Sequence, residues 1–174
     1  TIPADLETPV TAFLKLAAKA PHAFLLESAE QGERTGRYSF IGLTPKAILT
    51  YQGQRLFISP KHFRPSLKAT APLLEAVEEL LGQYQLANRD QFASGFCGGL
   101  VGYLSYENVE QFENIQLTRK PEISMPDGIF FLTEELLIFD HFRKTLSIVI
   151  LVEISKGRLK KLYREAVARA AALE

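Results

Sequence analysis

FLLESAEQGERTGRYSFIGLTP, the stretch from Phe24 to Pro45, defines the first sheet of the predicted fold. Two apolar runs, one starting at Phe24 and one ending at Gly42, flank a mostly polar segment, residues 29–36, that contains two glycines. Apolar runs separated by a glycine-containing loop are typical of paired strands with a long connection. The sequence therefore predicts two paired strands whose loop-side ends carry polar groups.

The polar groups at these strand ends are chemically complementary to a zwitterion. Glu27 and Ser28 follow the first run, and Arg37 precedes the second. Carboxylate and hydroxyl oxygens accept hydrogen bonds from an amino group, whereas the planar guanidinium of arginine donates to a carboxylate. An amino acid fits this set. Alternatively, Glu27 and Arg37 form an exposed ion pair across a hairpin, which would stabilise the chain by only ~0 to 1 kcal/mol.

The remaining secondary structure follows from hydrophobic periodicity. One helix is predicted to begin at Thr8-Pro9, with Thr8 as N-cap and an apolar stripe of Val10, Phe13, Leu14 and Ala17. Two further helices are predicted at Thr70–Gln85 and Arg158–Leu173. Strands are predicted at Ala23–Glu27, Tyr38–Gly42, Ala47–Tyr51, Arg55–Ile58, Ile129–Leu132, Leu136–Asp140 and Thr145–Glu153.

These elements indicate an α+β fold in which antiparallel sheet packs against two or three helices. The first four strands have short connections, which predicts that they form one antiparallel meander with a turn at Gln52-Gly53. Gly98, Gly99 and Gly102 lie in a segment without a dinucleotide or P-loop motif, so their predicted role is close approach between backbones.

Composition narrows the class of protein. A chain of 174 residues is expected to form one domain. Its 20 basic and 20 acidic residues give a formal charge of zero, so no basic field favours nucleic acid or an anionic membrane. The single cysteine, Cys97, cannot form an internal disulfide, which favours the reducing cytoplasm. No apolar stretch reaches the ~18 residues of a membrane helix.

No catalytic or metal-binding pattern is evident. His22, His62 and His141 lie far apart in the sequence and lack zinc-site spacing. Asp140 and His141 are neighbours at a strand end, where adjacent side chains point to opposite faces, so a role in a hairpin is favoured over a shared proton. Ser28 has no evident base or oxyanion hole, which favours a hydrogen bond to a ligand over nucleophilic chemistry.

FLLES followed by GRYSFIG resembles the N-terminal region of component I of anthranilate synthase, a chorismate-utilising enzyme. Two further stretches agree in order and character, GGLVGYLSYENVEQFE from Gly98 to Glu113 and MPDGIFFLTEELLIFDHFRKTL from Met125 to Leu146. The resemblance therefore covers nearly the whole chain.

The resemblance implies a regulatory site for tryptophan. In the family, the LLES segment belongs to the site where tryptophan binds as feedback inhibitor, and its serine corresponds to Ser28, with Leu26 and Glu27 beside it. The segment across the loop, formed by Arg37, Tyr38 and Ser39, is expected to lie nearby. Residues 1–174 are then a single N-terminal regulatory domain that is catalytically silent alone and needs no cofactor.

The resemblance also implies partners that lie outside this sequence. A magnesium-dependent, chorismate-binding catalytic region is expected downstream in the same polypeptide, where it completes the sheet, so an isolated copy is expected to associate with itself. The parent enzyme, a lyase, would convert chorismate to anthranilate and pyruvate with ammonia from a glutamine amidotransferase subunit. Two alternatives are the corresponding domain of aminodeoxychorismate synthase and a ligand-free scaffold protein.

Overall fold

The computed structural model describes residues 1–28, 36–67, 71–87, 92, 94–117, 123, 125–154 and 158–174. The chain divides into two compact units. Unit 1 comprises Thr1–Pro45, Asn88–Gly98 and Thr133–Glu174, and unit 2 comprises Lys46–Ala87 and Gly99–Leu132. In the described ranges, no helix is long and apolar enough to span a lipid bilayer.

The described elements are strands, α-helices and one 3₁₀ helix. The strands are β1 (Ile2–Pro3), β2 (Ala23–Leu26), β3 (Tyr38–Leu43), β4 (Ala47–Gln52), β5 (Arg55–Ser59), β6 (Gly99–Leu104), β7 (Gly128–Thr133), β8 (Glu135–Asp140) and β9 (Thr145–Ile150). The helices are α1 (Pro9–Ala17), α2 (Leu73–Gly82), the 3₁₀ helix Tyr106–Gln111 and α3 (Leu159–Ala172).

Unit 1 is built on a five-stranded antiparallel sheet in the order β1-β9-β8-β3-β2. Helix α1 contacts β2 and β3, and α3 contacts β9. Alternate residues of the central strands face α1 and form a core with it, because side chains alternate between the two faces of a sheet. The buried members of this core are Ala12, Ile41, Leu43, Leu137, Phe139 and Leu146.

A capping box explains where α1 begins. The Thr8 hydroxyl accepts a hydrogen bond from the Thr11 N–H at 3.2 Å, and the Thr11 hydroxyl accepts one from the Thr8 N–H at 2.9 Å. These bonds satisfy N–H groups that have no partner within the helix. Pro9 then occupies the first turn, where its missing N–H costs nothing. The predicted start of this helix is confirmed.

Unit 2 contains a four-stranded sheet in the order β5-β4-β7-β6. Strands β4 and β5 are joined by a tight turn in which Gly53 (φ 58°) and Gln54 (φ 61°) are both left-handed, as a type I′ hairpin requires. Helix α2 contacts β6 and contributes to the core of this unit. The buried members of this core are Ala47, Leu49, Tyr51, Leu56, Ala71, Leu73, Ala76, Leu80 and Leu132.

Two glycines of unit 2 lie where a side chain would not fit. A Cβ atom on Gly102 would lie 1.8 Å from the carbonyl oxygen of Ile129, and one on Gly128 would lie 2.5 Å from Leu73 Cδ2. The predicted role of Gly102 in close backbone approach is therefore confirmed.

The α+β fold class is confirmed, but the predicted four-strand meander is wrong. Strand β3 pairs with β2 and β8, whereas β4 pairs with β5 and β7 in the other sheet. Between β3 and β4, Thr44 adopts a left-handed conformation (φ 44°). The turn after β4 also lies one residue later than predicted, at Gly53-Gln54.

The predicted buried faces of the helices are only partly correct. In α1, Pro9 and Ala12 are buried, whereas Val10 and Leu14 are exposed. In α2, Leu73, Ala76 and Leu80 are buried. Three residues of the apolar stripe that hydrophobic periodicity predicts for Thr70–Gln85 are exposed, namely Leu74, Leu81 and, beyond the end of α2, Tyr84. Small residues allow a helix to approach a sheet closely. Each helix therefore faces its sheet with an alanine, and several of its larger apolar side chains point away from the sheet.

Candidate functional site

Strand β2 positions the first three predicted site residues. Leu26 is its last residue and pairs with Phe40 of β3, and Glu27 and Ser28 follow, both exposed. If this register continued, Ser28 would lie opposite Tyr38. Because side chains alternate across a strand, Leu26, Tyr38 and Phe40 lie on the sheet face opposite the α1 core. An exposed hydroxyl and carboxylate thus follow an apolar strand, as predicted.

Arg37 forms an ion pair with Asp140 at the start of β3. Its Nε donates to Asp140 Oδ1 at 3.1 Å, and its Nη2 donates to Oδ2 at 2.7 Å. The hydrogen bond from Arg37 lowers the pKa of Asp140 below its ordinary value, and this effect outweighs burial, which raises it. Among the described residues, Arg37 therefore pairs with Asp140 and not with Glu27, so the alternative of a Glu27–Arg37 pair is wrong.

Asp140 also fixes the hairpin that follows β8. Its Oδ1 accepts hydrogen bonds from the N–H groups of Phe142 at 3.1 Å and Arg143 at 3.0 Å. These bonds lower its pKa further. The predicted hairpin role of Asp140 is confirmed. Its pairing with Arg37 was not predicted, because the two residues are 103 positions apart in the sequence.

The hydroxyl of Tyr38 is buried and forms no hydrogen bond with the described part of the chain. The ring of Tyr38 lies 6.2 Å from that of Phe40, and the Phe40 ring lies 5.3 Å from that of Phe96 in an edge-to-face arrangement. The Arg37 guanidinium lies 4.9 Å from the centre of the Tyr38 ring. A phenol without a partner in such aromatic surroundings costs about 1–3 kcal/mol, so it requires an explanation.

Ser39, the last predicted site residue, faces away from this aromatic cluster. It is 2% exposed, and its hydroxyl lies 2.7 Å from Nε2 of His141. The main-chain N–H of His141 donates to the carbonyl of Arg37 at 2.9 Å. Ser39 thus anchors the hairpin to β3, and its hydroxyl is already in use.

A cavity of about 330 Å³ lies within unit 2, away from every predicted site residue. Three carboxylates line it, those of Glu107, Glu110 and Asp127. Asp127 is held by the N–H of Gly53, which donates to its Oδ2 at 2.8 Å. Sequence reasoning did not predict this cavity, because its walls come from three separate segments.

The described residues do not fit a magnesium site. They include no group of three or more histidine, cysteine, aspartate or glutamate residues that could hold a metal ion. The magnesium dependence that the resemblance implies for a downstream catalytic region stays a prediction.

The chain belongs to the family of chorismate binding enzymes, whose family model matches residues 17–172. It is 36% identical over 168 residues to a probable anthranilate synthase component 1 of Schizosaccharomyces pombe, a match that covers 95% of this chain and 31% of that protein. It is 30% identical over 166 residues to anthranilate synthase component 1 of Acetivibrio thermocellus, which covers 95% of this chain and 33% of that protein.

A solved structure confirms the fold. Anthranilate synthase component I from Streptococcus pneumoniae superposes with a TM-score of 0.58 and 20% identity over 99% of this chain and 36% of that one. The chain thus spans about a third of the length of the relatives it matches. The prediction that the catalytic chorismate-binding region lies outside these residues stays a prediction.

Proposed function

We propose that this chain is the regulatory part of an anthranilate synthase component I and that it binds tryptophan as a feedback inhibitor. In this proposal, the parent enzyme acts in tryptophan biosynthesis in the cytoplasm and forms anthranilate from chorismate. The observation that carries the proposal is the buried Tyr38 hydroxyl without a described partner, next to the guanidinium of Arg37.

Each functional group of tryptophan has a counterpart at the ends of β2 and β3. The indole N–H is a donor only, and the buried Tyr38 oxygen would accept from it once the tyrosine ring turns toward the ligand. The carboxylate complements Arg37, and the ammonium group complements the exposed Glu27 and Ser28. Phe40 and Phe96 supply aromatic surface for the indole. Leu26, which is 44% exposed, adds apolar surface.

The acidic cavity of unit 2 is a poorer candidate for the family's substrate. Chorismate is a dicarboxylate, and the described lining of the cavity presents Glu107, Glu110 and Asp127 and includes no basic residue. Like charges brought together in a partly enclosed site repel each other. This supports a regulatory rather than a catalytic role for the described residues.

The two other functions considered are less well supported. Relatives from a yeast and a bacterium are named anthranilate synthase component 1, which favours this enzyme over aminodeoxychorismate synthase. A scaffold without a ligand would leave the Tyr38 hydroxyl unexplained.

We also propose three associations for this chain. The first is with the rest of the same polypeptide, since the chain spans about a third of its relatives. The second is with a glutamine amidotransferase subunit that supplies ammonia. The third is self-association of an isolated copy, for which the exposed apolar residues of α3 provide a surface, namely Leu159, Tyr163 and Val167.

Calorimetric titration of the complete gene product with L-tryptophan tests the proposal. Ser28→Ala should weaken binding by ~1 to 3 kcal/mol, the contribution of a hydrogen bond to a charged group. Tyr38→Phe should also weaken binding, yet leave the thermal stability of the free protein equal or higher, because it removes an unpaired buried hydroxyl.

Ser66→Ala is the matched control, because Ser66 is an exposed serine of unit 2. It should leave the tryptophan affinity unchanged. Parent, Ser28→Ala and Tyr38→Phe proteins with equal affinities would count decisively against the assignment.

A further inference from the structure

Asp140 is the most firmly held charged group near the proposed tryptophan site. It is 8% exposed, and it accepts hydrogen bonds from the Arg37 side chain and from the N–H groups of Phe142 and Arg143. It also lies directly opposite Tyr38 in the β3–β8 register. Its carboxylate therefore cannot swing away without breaking the turn that follows β8.

This fixed carboxylate in turn fixes the Arg37 guanidinium. Asp140 occupies the edge formed by Nε and Nη2. The guanidinium also lies 4.9 Å from the centre of the Tyr38 ring and 5.5 Å from that of the Phe142 ring. Arginine loses much side-chain freedom when it is held in this way, so its remaining donors have a defined direction before any ligand arrives.

The donors that remain suit a carboxylate. Within the described ranges, the Arg37 side chain donates hydrogen bonds from Nε and Nη2 and none from Nη1, and 26% of the side chain is exposed. A planar guanidinium can bind a second carboxylate through its Nη1 and Nη2 hydrogens while its other edge is occupied.

We propose that Asp140 is a positioning residue that holds Arg37 ready to bind the carboxylate of the effector. This inference rests on the proposed function and adds to it a residue from a distant strand. Asp140 does not touch the effector and acts through Arg37 alone.

The charge of Asp140 also has an opposing effect, since a carboxylate near the site repels the carboxylate of the ligand. That charge is compensated by Arg37 itself and by two N–H donors of the turn. When Asp140 is removed, the affinity lost because Arg37 is no longer oriented should therefore exceed the affinity gained because a negative charge is gone.

Two ligands that differ only in the carboxylate test this inference. The affinities of the complete gene product for L-tryptophan and for tryptamine, which lacks the carboxylate, are measured by calorimetry. In Asp140→Ala, the preference for tryptophan over tryptamine should fall about tenfold, as is typical when the partner that orients a binding group is removed. The affinity for tryptamine should stay within about twofold, since that ligand does not use Arg37.

Asp140→Asn serves as the second variant, because its amide oxygen can still accept hydrogen bonds from the turn and from Arg37. If Asp140→Ala fails to fold, Asp140→Asn should still fold. Its preference for tryptophan over tryptamine should lie between that of the parent and that of Asp140→Ala. Glu7→Ala is the control, because it removes a different ion pair of unit 1, that between Glu7 and Lys15. It should leave the preference unchanged.

The possible results separate this inference from the proposed function. If the parent binds tryptophan and both Asp140 variants keep its preference over tryptamine, or lose affinity for both ligands equally, Asp140 is only a structural tie and the inference is overturned while the function stands. If the parent binds no tryptophan, the proposed function fails and the inference fails with it.

Discussion

Unit 1 and unit 2 both pack a helix on an antiparallel sheet, yet their most constrained points differ in kind. In unit 2, the tightest point is backbone against backbone, where Gly102 meets Ile129. In unit 1, the start of β3 and the end of β8 are joined by a partly buried charge pair, Arg37 with Asp140. Packing alone explains the first arrangement. It does not explain the second, because apolar residues would hold the two strands together at least as well as this partly buried ion pair.

This difference supports the proposal that the effector binds to unit 1. A partly buried ion pair and a buried phenol that has no partner among the described residues both reduce stability relative to well-packed apolar residues, and both occur at the same end of β3. Such features are expected where binding requires them. Unit 2 is shaped mainly by the requirements of its core.

The largest effect is expected from Gly102→Ala in unit 2. The new Cβ would overlap the Ile129 carbonyl, which is main chain and cannot move aside, so the free energy of unfolding should fall by roughly 3 kcal/mol or more. Gly42→Ala in unit 1 should cost less, because its Cβ would meet only the Phe24 ring, 2.1 Å away. Urea denaturation of both variants measures the difference.

Gly82→Ala is the control for these two substitutions. Gly82 lies in α2 with nothing within 4 Å of its Cβ position, so alanine should stabilise the protein by about 0.5–1 kcal/mol. If Gly42→Ala proved as damaging as Gly102→Ala, the contrast between main-chain and side-chain constraint in the two units would be wrong.

Local patterns in the sequence were sufficient to predict most elements but not how the strands are arranged in sheets. Alternating apolar residues identified β3, β8 and β9, and Thr8-Pro9 identified the start of α1. The separation of β3 and β4 into different sheets was missed, because it depends on their pairing with the distant strands β8 and β7, which local sequence patterns do not specify.

The candidate site shows the same limit. The sequence places Glu27, Ser28 and Arg37 at strand ends, and the structure does so too. The partner of Arg37 could not be predicted, because pairing across 103 residues depends on the register of β3 with β8. The buried Tyr38 hydroxyl also carries no sequence signal, because its lack of a hydrogen bond to the described residues depends on the tertiary arrangement of its neighbours.

A smaller effect, confined to acid, is expected from the Asp140 carboxylate of unit 1. Its pKa is lowered in the folded protein, so its stabilising contribution is present above the unfolded-state pKa of about 4 and is lost as the pH falls through the lower folded-state value. Between about pH 7 and pH 2, the parent should therefore lose on the order of 1 kcal/mol more stability than Asp140→Asn.

Urea denaturation at several pH values checks this expectation, with Glu7→Gln as the control. The pKa of Glu7 is also lowered, chiefly by its hydrogen bond from Lys15, but this pair is exposed to solvent and should contribute less. Parallel stability curves for the parent and Asp140→Asn would show that the Arg37–Asp140 pair adds nothing specific to unit 1.

The smallest effect on stability is expected from changes at the N-terminus of the first helix of each unit. Thr8→Ala removes the side-chain cap of α1 and should cost about 1 kcal/mol. Helix α2 starts after Pro72 without any side-chain cap bond. Pro72→Ser would add a hydroxyl cap to α2 but would also increase the conformational entropy of the unfolded chain. The net change in the free energy of unfolding should therefore stay within about 0.5 kcal/mol. Equal losses in thermal unfolding for the two variants would show that α1 depends on its cap no more than α2 does, and that the apolar contacts of Pro9 and Ala12 alone hold α1 on its sheet.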